Sequence, residues 1–377
     1  MKKQIKIGLL LLILGMLFIP ILQICFSFSN EKPLQGSFEL SPKPNTITIS
    51  DWLNGKYQEE YTNYFDAHIG FRPTLVRIFN QIQYSFFKKT NAKDVQIGKD
   101  NYLFEGGYIR DYIGYSFIGE NKITEKVKRI KNIQNELKKD SINLIIVFAP
   151  GKASYFPEFF PSQYDTTTKT LSNYLCYVKK CEELDVDFID INSSFIQYKK
   201  KSKHPLFPKG GIHWGELGVA IAFDSITKYI EQKRSINIPD FDFSKIEYPD
   251  NLLNSDRDIS DAMNLFFEYK YYKMPKPYYI FKDTIDTEKP KLLIIGDSYG
   301  YGLTNSVLMN KLFSNTEFWY YNREIKPNRK NHSSKVEDIN VKKELKKFDV
   351  VLLLSTETNL FKFDFEFTDS YNNIIKK

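Results

Sequence analysis

Cysteine is scarce in this sequence: Cys25, Cys176 and Cys181 are the three among 377 residues. A disulfide framework is excluded, since at most one bridge is available outside the apolar leader. Cys176 and Cys181, five apart on an expected helix, diverge, so free thiols are expected. Histidine is nearly as rare, with four copies. No Cys/His spacing suits zinc, and no cofactor is implied. Nucleic-acid modules are absent too. The formal charge of +7 comes from lysines scattered along the chain, which favours anionic lipid or polymer without specifying nucleic acid. Long apolar runs are also missing, with one exception.

That exception is Ile7–Phe28, preceded by Lys2, Lys3 and Lys6. About 20 apolar residues cross a bilayer as one helix, and lysines before them hold the start in the cytoplasm. The apolar part of a cleaved signal is shorter, ~7–15 residues, and ends in an Ala-x-Ala-like site that is missing here. Residues 1–28 are therefore expected to be an uncleaved anchor in the cytoplasmic membrane, with the rest of the chain outside. Residues 29–48, polar with Pro33, Pro42 and Pro44, are the expected tether, and 49–377 the folded body. Within it, Asp51–Lys89 has the apolar period of helices packed on a larger body.

Val95–Phe104 is expected to be a short strand pair turning through Gly98–Asn101. An amphipathic helix, Ile123–Lys139, then leads to a fully apolar strand, Leu144–Pro150. A further helix, Leu171–Leu184, precedes the strand Asp187–Ile191. Strand, helix, strand at this spacing makes a parallel sheet. Lys152 follows the first of these strands at the edge where such sheets place ligands, either to touch an anionic group or to be solvated. Two more strands are expected at Thr316–Tyr321 and Asp349–Leu354.

Lys291–Gly302 carries the chemistry. An apolar run, Leu292–Ile295, ends in Gly296-Asp297-Ser298, so Ser298 stands at the carboxyl end of a buried strand. Gly296 permits a sharp turn, and a helix starting at Ser298 would aim unpaired N–H groups at whatever the hydroxyl attacks. Asp297 reads as a turn residue. His213, in Pro208-Lys209-Gly210-Gly211-Ile212-His213-Trp214, follows a sheet strand through a glycine loop at a helix start, where a general base reaches a serine on the neighbouring edge. His68, His204 and His332 lack that setting. The intervening residues 236–290, rich in Asp, Pro and Tyr, are expected to form a cap over the site. Its aromatic residues either pack or stack on sugar rings. Asp256, Asp258 and Asp261 precede an apolar stretch as helix-start charges do.

The Gly-Asp-Ser strand end, the His-Trp loop, the strand pair at Val95–Phe104 and the apolar leader together resemble the SGNH (GDSL-type) hydrolases. The likeness is to a circularly permuted order found in the alginate O-acetyltransferase AlgX/AlgJ-like group, related to DltD, and it extends over Asp51–Phe367. The resemblance implies an α/β fold: a parallel-sheet, SGNH-like three-layer sandwich with a helical N-terminal flank, a cap insertion and a membrane helix. It also implies Ser298 as nucleophile, His213 as base, and the Ser298 N–H and Asn359 as oxyanion donors, with Lys152 at the same edge. The aspartate that the family places two or three residues before the histidine is replaced by Gly211 and Gly210. Asp190 and Asp258 are the candidates for its role, and a backbone carbonyl is a third possibility.

The implied activity is that of an extracytoplasmic serine O-acetyltransferase or esterase. It would act on a cell-envelope or exported polysaccharide through an acyl-serine, with a membrane-bound O-acyltransferase partner supplying the acetyl group. With two glycines in place of the acid, a catalytically degenerate polysaccharide-binding or scaffolding subunit is the alternative.

Overall fold

The computed structural model describes residues 2–36, 41–44, 47–282, 287–330 and 333–372. His332 and parts of the expected tether and cap lie outside the described residues. The chain divides into two compact units, Met1–Lys93 with Ser260–Lys270, and Asp94–Ile259 with Tyr271–Lys377.

The first unit is helical. Lys2–Phe26 is one helix, and its Lys3–Phe26 portion is long and apolar enough to cross a membrane, with a mean hydropathy of 2.7 and none of that window buried. Helices Ile49–Leu53, Lys56–His68 and Arg72–Phe87 follow. Their period is as read, and Asn80 on the third is buried, held by the Met263 carbonyl at 2.9 Å. Trp52, Phe65 and Phe86 are exposed.

The second unit is built on a sheet. Its chain forms strands β1 (Val95–Ile97), β2 (Leu103–Glu105), β3 (Asn143–Ala149), β4 (Phe188–Asp190), β5 (Phe241–Glu247), β6 (Lys276–Phe281), β7 (Lys291–Gly296), β8 (Ser314–Tyr320), β9 (Glu324–Lys326) and β10 (Val350–Thr356). Six of them make one sheet in the order β4-β3-β10-β7-β8-β9. All neighbours are parallel except β9, which pairs antiparallel with β8 at the edge. β1–β2 and β5–β6 are separate antiparallel pairs.

A parallel sheet covered on both faces needs strands apolar along most of their length, and the central three are: β10 is wholly buried and apolar up to Ser355, and β3 and β7 are buried after a polar first residue. The pleat divides them. Leu144, Ile146, Leu293, Ile295, Val351 and Leu353 join one core with Ile123, Val127, Ile130, Ile133 and Leu137 of helix Glu120–Lys139. Those spacings of three and four form one helix stripe. Free thiols Cys176 and Cys181, from helix Asn173–Glu183, are buried in the same layer. The alternate residues Ile145, Val147, Ile294, Leu352 and Leu354 are equally buried and point the other way, where helices Ile191–Lys201 and Glu216–Arg234 contact each other and strands β3 and β4.

Because β10 is last in the chain yet lies between β3 and β7, the strand order reverses there. Ligands of open α/β sheets bind at the carboxyl ends of strands beside such a reversal.

Candidate active site

Ser298 lies two residues past β7. Strand β7 runs so close to β10 that a Cβ at Gly296 would stand 2.5 Å from the Leu354 carbonyl oxygen, so glycine is required where the chain turns off the sheet. Asp297 is fully buried and does far more than shape a turn. Its Oδ1 accepts from the Tyr299 N–H at 3.1 Å, while its Oδ2 accepts from the Thr356 N–H at 2.8 Å, the Thr356 hydroxyl at 2.7 Å and Asn359 Nδ2 at 2.8 Å. The serine turn is thereby tied to the end of β10. The helix after Ser298 is short, Gly300–Thr304.

His213 Nε2 is 3.0 Å from Ser298 Oγ, and His213 Nδ1 is 2.8 Å from Asp258 Oδ2. Asp258 Oδ1 accepts from the Ile212 N–H at 3.0 Å, so one carboxylate grips both the imidazole and the backbone beside it. The two side chains are 25% and 31% exposed, open to a substrate but shielded from bulk water.

Gly211 explains how an acid 45 residues away takes this place. A Cβ there would collide with the Ser255 carbonyl oxygen and the Asp256 backbone, because the segment bearing Asp258 passes directly against it. The absence of a side chain at Gly211 is what admits the acid.

Around this chain of hydrogen bonds the histidine loop is pinned by its carbonyls. Lys152 Nζ donates to the Lys209 and Gly211 carbonyls, each at 2.8 Å, and the Lys209 carbonyl also accepts from the Leu103 N–H at 3.1 Å. The Tyr299 hydroxyl donates to the Ile212 carbonyl at 2.7 Å, and its ring lies 5.1 Å from that of His213. Burial holds the Tyr299 phenol well above its ordinary pKa, so it stays a donor, and pushes the Lys152 ammonium well below its own. Glu105 is raised by burial and then by the nearby Asp258 charge.

Three expectations are corrected by these contacts. Lys152 meets no solvent: at 1% exposure it serves the histidine loop from behind. Asp190 does not orient His213. It caps helix Ile191–Lys201 by accepting from the Ser193 N–H at 3.0 Å and accepts the Tyr174 hydroxyl at 2.8 Å, because the end of β4 lies three strands from β7. Asn359 directs its amide to Asp297, with weaker contacts to Thr356 Oγ1 and the Tyr321 hydroxyl at 3.2 and 3.4 Å. Tyr299 and the Asp297–Thr356 tie are residues that sequence reasoning missed, and only their position next to Ser298 hinted at them. His68 and His204 bond to the Tyr64 carbonyl and the Tyr248 hydroxyl instead.

A groove of about 520 Å³ opens over Ser298 and His213, walled by Trp214, Leu253, Tyr279 and Tyr301. Among the described residues no group of three or more His, Cys, Asp or Glu is arranged to hold a metal ion.

Residues 95–248 match the family model described as SGNH hydrolase-like domain, acetyltransferase AlgX. Over that stretch the chain is similar to this family. The matched residues include Lys152 and His213, while Asp258 and Ser298 lie beyond them. The chain is also similar to three solved structures. The O-acetyltransferase domain of Pseudomonas putida AlgJ is 14% identical, with 74% of this chain and 99% of that one covered at a TM-score of 0.45. Pseudomonas aeruginosa AlgX is 13% identical, with 74% and 71% covered at 0.47. Bacillus cereus PatB1 is 13% identical, with 71% and 98% covered at 0.43. No curated protein matches the chain by sequence.

Proposed function

We propose that this protein is an extracytoplasmic serine O-acetyltransferase that acetylates a polysaccharide hydroxyl, working through Ser298, His213 and Asp258. The single observation that carries the reading is the unbroken chain from Ser298 Oγ through both imidazole nitrogens to Asp258, at 3.0 and 2.8 Å. The family description supplies the acetyl group, and the groove with its aromatic walls suits a sugar ring.

In the first half-reaction His213 Nε2 takes the Ser298 proton as Oγ attacks the carbonyl carbon of an acetyl donor. The tetrahedral oxyanion is received by the Ser298 N–H, a stabilisation worth ~3 kcal/mol per donor. His213, now an imidazolium held by Asp258, gives its proton to the departing oxygen, and the C–O bond to the donor breaks to leave acetyl-Ser298. In the second half a sugar hydroxyl loses its proton to His213 and attacks the acyl-serine, and Ser298 recovers the proton on release. Hydrolysis follows the same course with water in place of the sugar.

The helix Lys3–Phe26 is proposed to anchor the chain, with residues 236–290 as a cap, since Leu253 and Tyr279 of that segment wall the groove. A membrane-bound acyltransferase is the proposed source of the acetyl group. The contact of Asp258 with His213 supports the enzyme reading over the degenerate-subunit alternative. Incubation with p-nitrophenyl acetate and neutral or anionic oligosaccharides, followed by mass analysis of the sugars, tests transfer: acetylated sugar that is not formed by Ser298→Ala supports it, and free acetate as the sole product reassigns the protein as an esterase.

A further inference from the structure

A second cavity, of about 470 Å³, opens on the other side of β10 from Ser298. It sits at the carboxyl ends of β3, β4 and β10, and each contributes a polar side chain just past its end: Ser154, Asn192 and Glu357. These three meet. The Ser154 hydroxyl donates to Glu357 Oε2 and the Asn192 amide to Glu357 Oε1. Glu357 is 4% exposed and takes no part in the chemistry at Ser298.

Two features point to a ligand. Asn192, 5% exposed and lining the cavity, has one end of its amide on Glu357 while its Oδ1 has no hydrogen-bond partner. A buried polar atom left so carries a desolvation cost that an incoming group relieves. If the amide is turned over, its N–H₂ is the orphan instead, and a hydroxyl satisfies either end. The lining also carries both signs, with Glu357 and Asp111 among the buried walls and Lys169, Lys199 and Lys200 nearer solvent. An anion has no proton to offer Asn192 Oδ1, and a cation meets the lysines. The ligand chemistry left is neutral and rich in hydroxyls, and the rings of Tyr112 and Tyr174 add a face for a sugar.

We propose that this cavity is a binding site for a neutral glycosyl unit, separate from the catalytic groove. Two strand spacings, about 10 Å, separate β3 from β7, so the site holds a polysaccharide at a second point along the same sheet edge. The proposal deepens the functional reading by naming a neutral sugar, yet its binding step needs no acylation.

The test is calorimetric titration of the full-length chain in mild detergent, in the Ser298→Ala background, with cellotetraose, chitotetraose and maltotetraose. Tetragalacturonate, inorganic phosphate and spermidine serve as charged comparators. At least one neutral tetrasaccharide should bind with Kd on the order of 1 mM, and Asn192→Ala and Ser193→Tyr, the latter at the half-buried mouth, should each weaken it at least ~10-fold. Thermal unfolding checks both variants; should Asn192→Ala fail to fold, Ser193→Tyr decides alone. Binding that Ser193→Tyr leaves unchanged, binding of the charged probes only, or no binding by any probe overturns the proposal. None of these outcomes bears on Ser298 acylation, so the two readings fail separately.

Discussion

His213 Nδ1 and Asp258 Oδ2 stand 2.8 Å apart although 45 residues of chain separate them, and the same carboxylate binds the backbone N–H of Ile212. The acid thus sets both the tautomer of the ring and the position of the loop that bears it. Asp258→Asn should keep the loop geometry while offering the ring the wrong partner, and kcat with p-nitrophenyl acetate should fall by ~10⁴, the loss seen when a triad aspartate is amidated. Asp190→Ala should instead cost about 1 kcal/mol of stability through a lost helix cap, measured by urea unfolding.

Gly211 is the second point of leverage. Gly211→Asp puts a carboxylate two residues before His213, but its Cβ must displace the Ser255–Asp256 backbone and with it Asp258. Unfolding should shift to lower urea by roughly 2 kcal/mol and kcat should fall at least tenfold, since overpacking costs that much. A more active variant would mean that the glycines replaced a lost acid and nothing more.

Much of this was legible in the sequence, and the parts that were not share a cause. Strands β3, β7 and β10 are apolar along most of their length, so burial on both faces was written in their composition, and Ser298 and His213 were visible because motif and strand end coincide. Asp258 could be named only as one of two acids, because what selects it is the space left at Gly211 by residues far along the chain. Lys152 reads as a cation that either touches an anionic group or is solvated; only backbone carbonyls converging from the histidine loop make its burial tolerable. In Asp51–Lys89 the amphipathic period marked the helices Ile49–Leu53, Lys56–His68 and Arg72–Phe87.

Lys152→Met keeps the length of that side chain and removes its charge and hydrogen bonds. The Lys209 carbonyl retains the Leu103 N–H, whereas the Gly211 carbonyl loses the Lys152 bond. A loss of ~1–3 kcal/mol in stability is expected, the cost of stranding a buried acceptor, together with a fall in kcat larger than any change in KM. Unfolding curves and steady-state kinetics on the same preparation separate the two.

Stability should decline towards alkaline pH. Burial raises the Glu357 carboxyl to about 8, and raises Asp111 and Asp256 to about 6. An acid whose folded pKa lies above its unfolded value binds more protons when folded. Its contribution is therefore fully present below about pH 4 and is lost as pH rises through the folded value. For Glu357 the span amounts to several kcal/mol, on the order of 5. Urea unfolding at pH 5, 7 and 9 should show most of the fall between pH 5 and 8 and little beyond, and Glu357→Gln should flatten that limb.

The central claim is that Ser298 accepts an acyl group with His213 as its base. Rapid mixing with p-nitrophenyl acetate, acid quenching and intact-mass and peptide analysis measure this directly. The account predicts a single acetyl adduct on the peptide bearing Ser298, absent from Ser298→Ala and strongly slowed in His213→Ala. An unmodified Ser298 at every pH from mild acid to mild base, or equal labelling in the His213 variant, would contradict it.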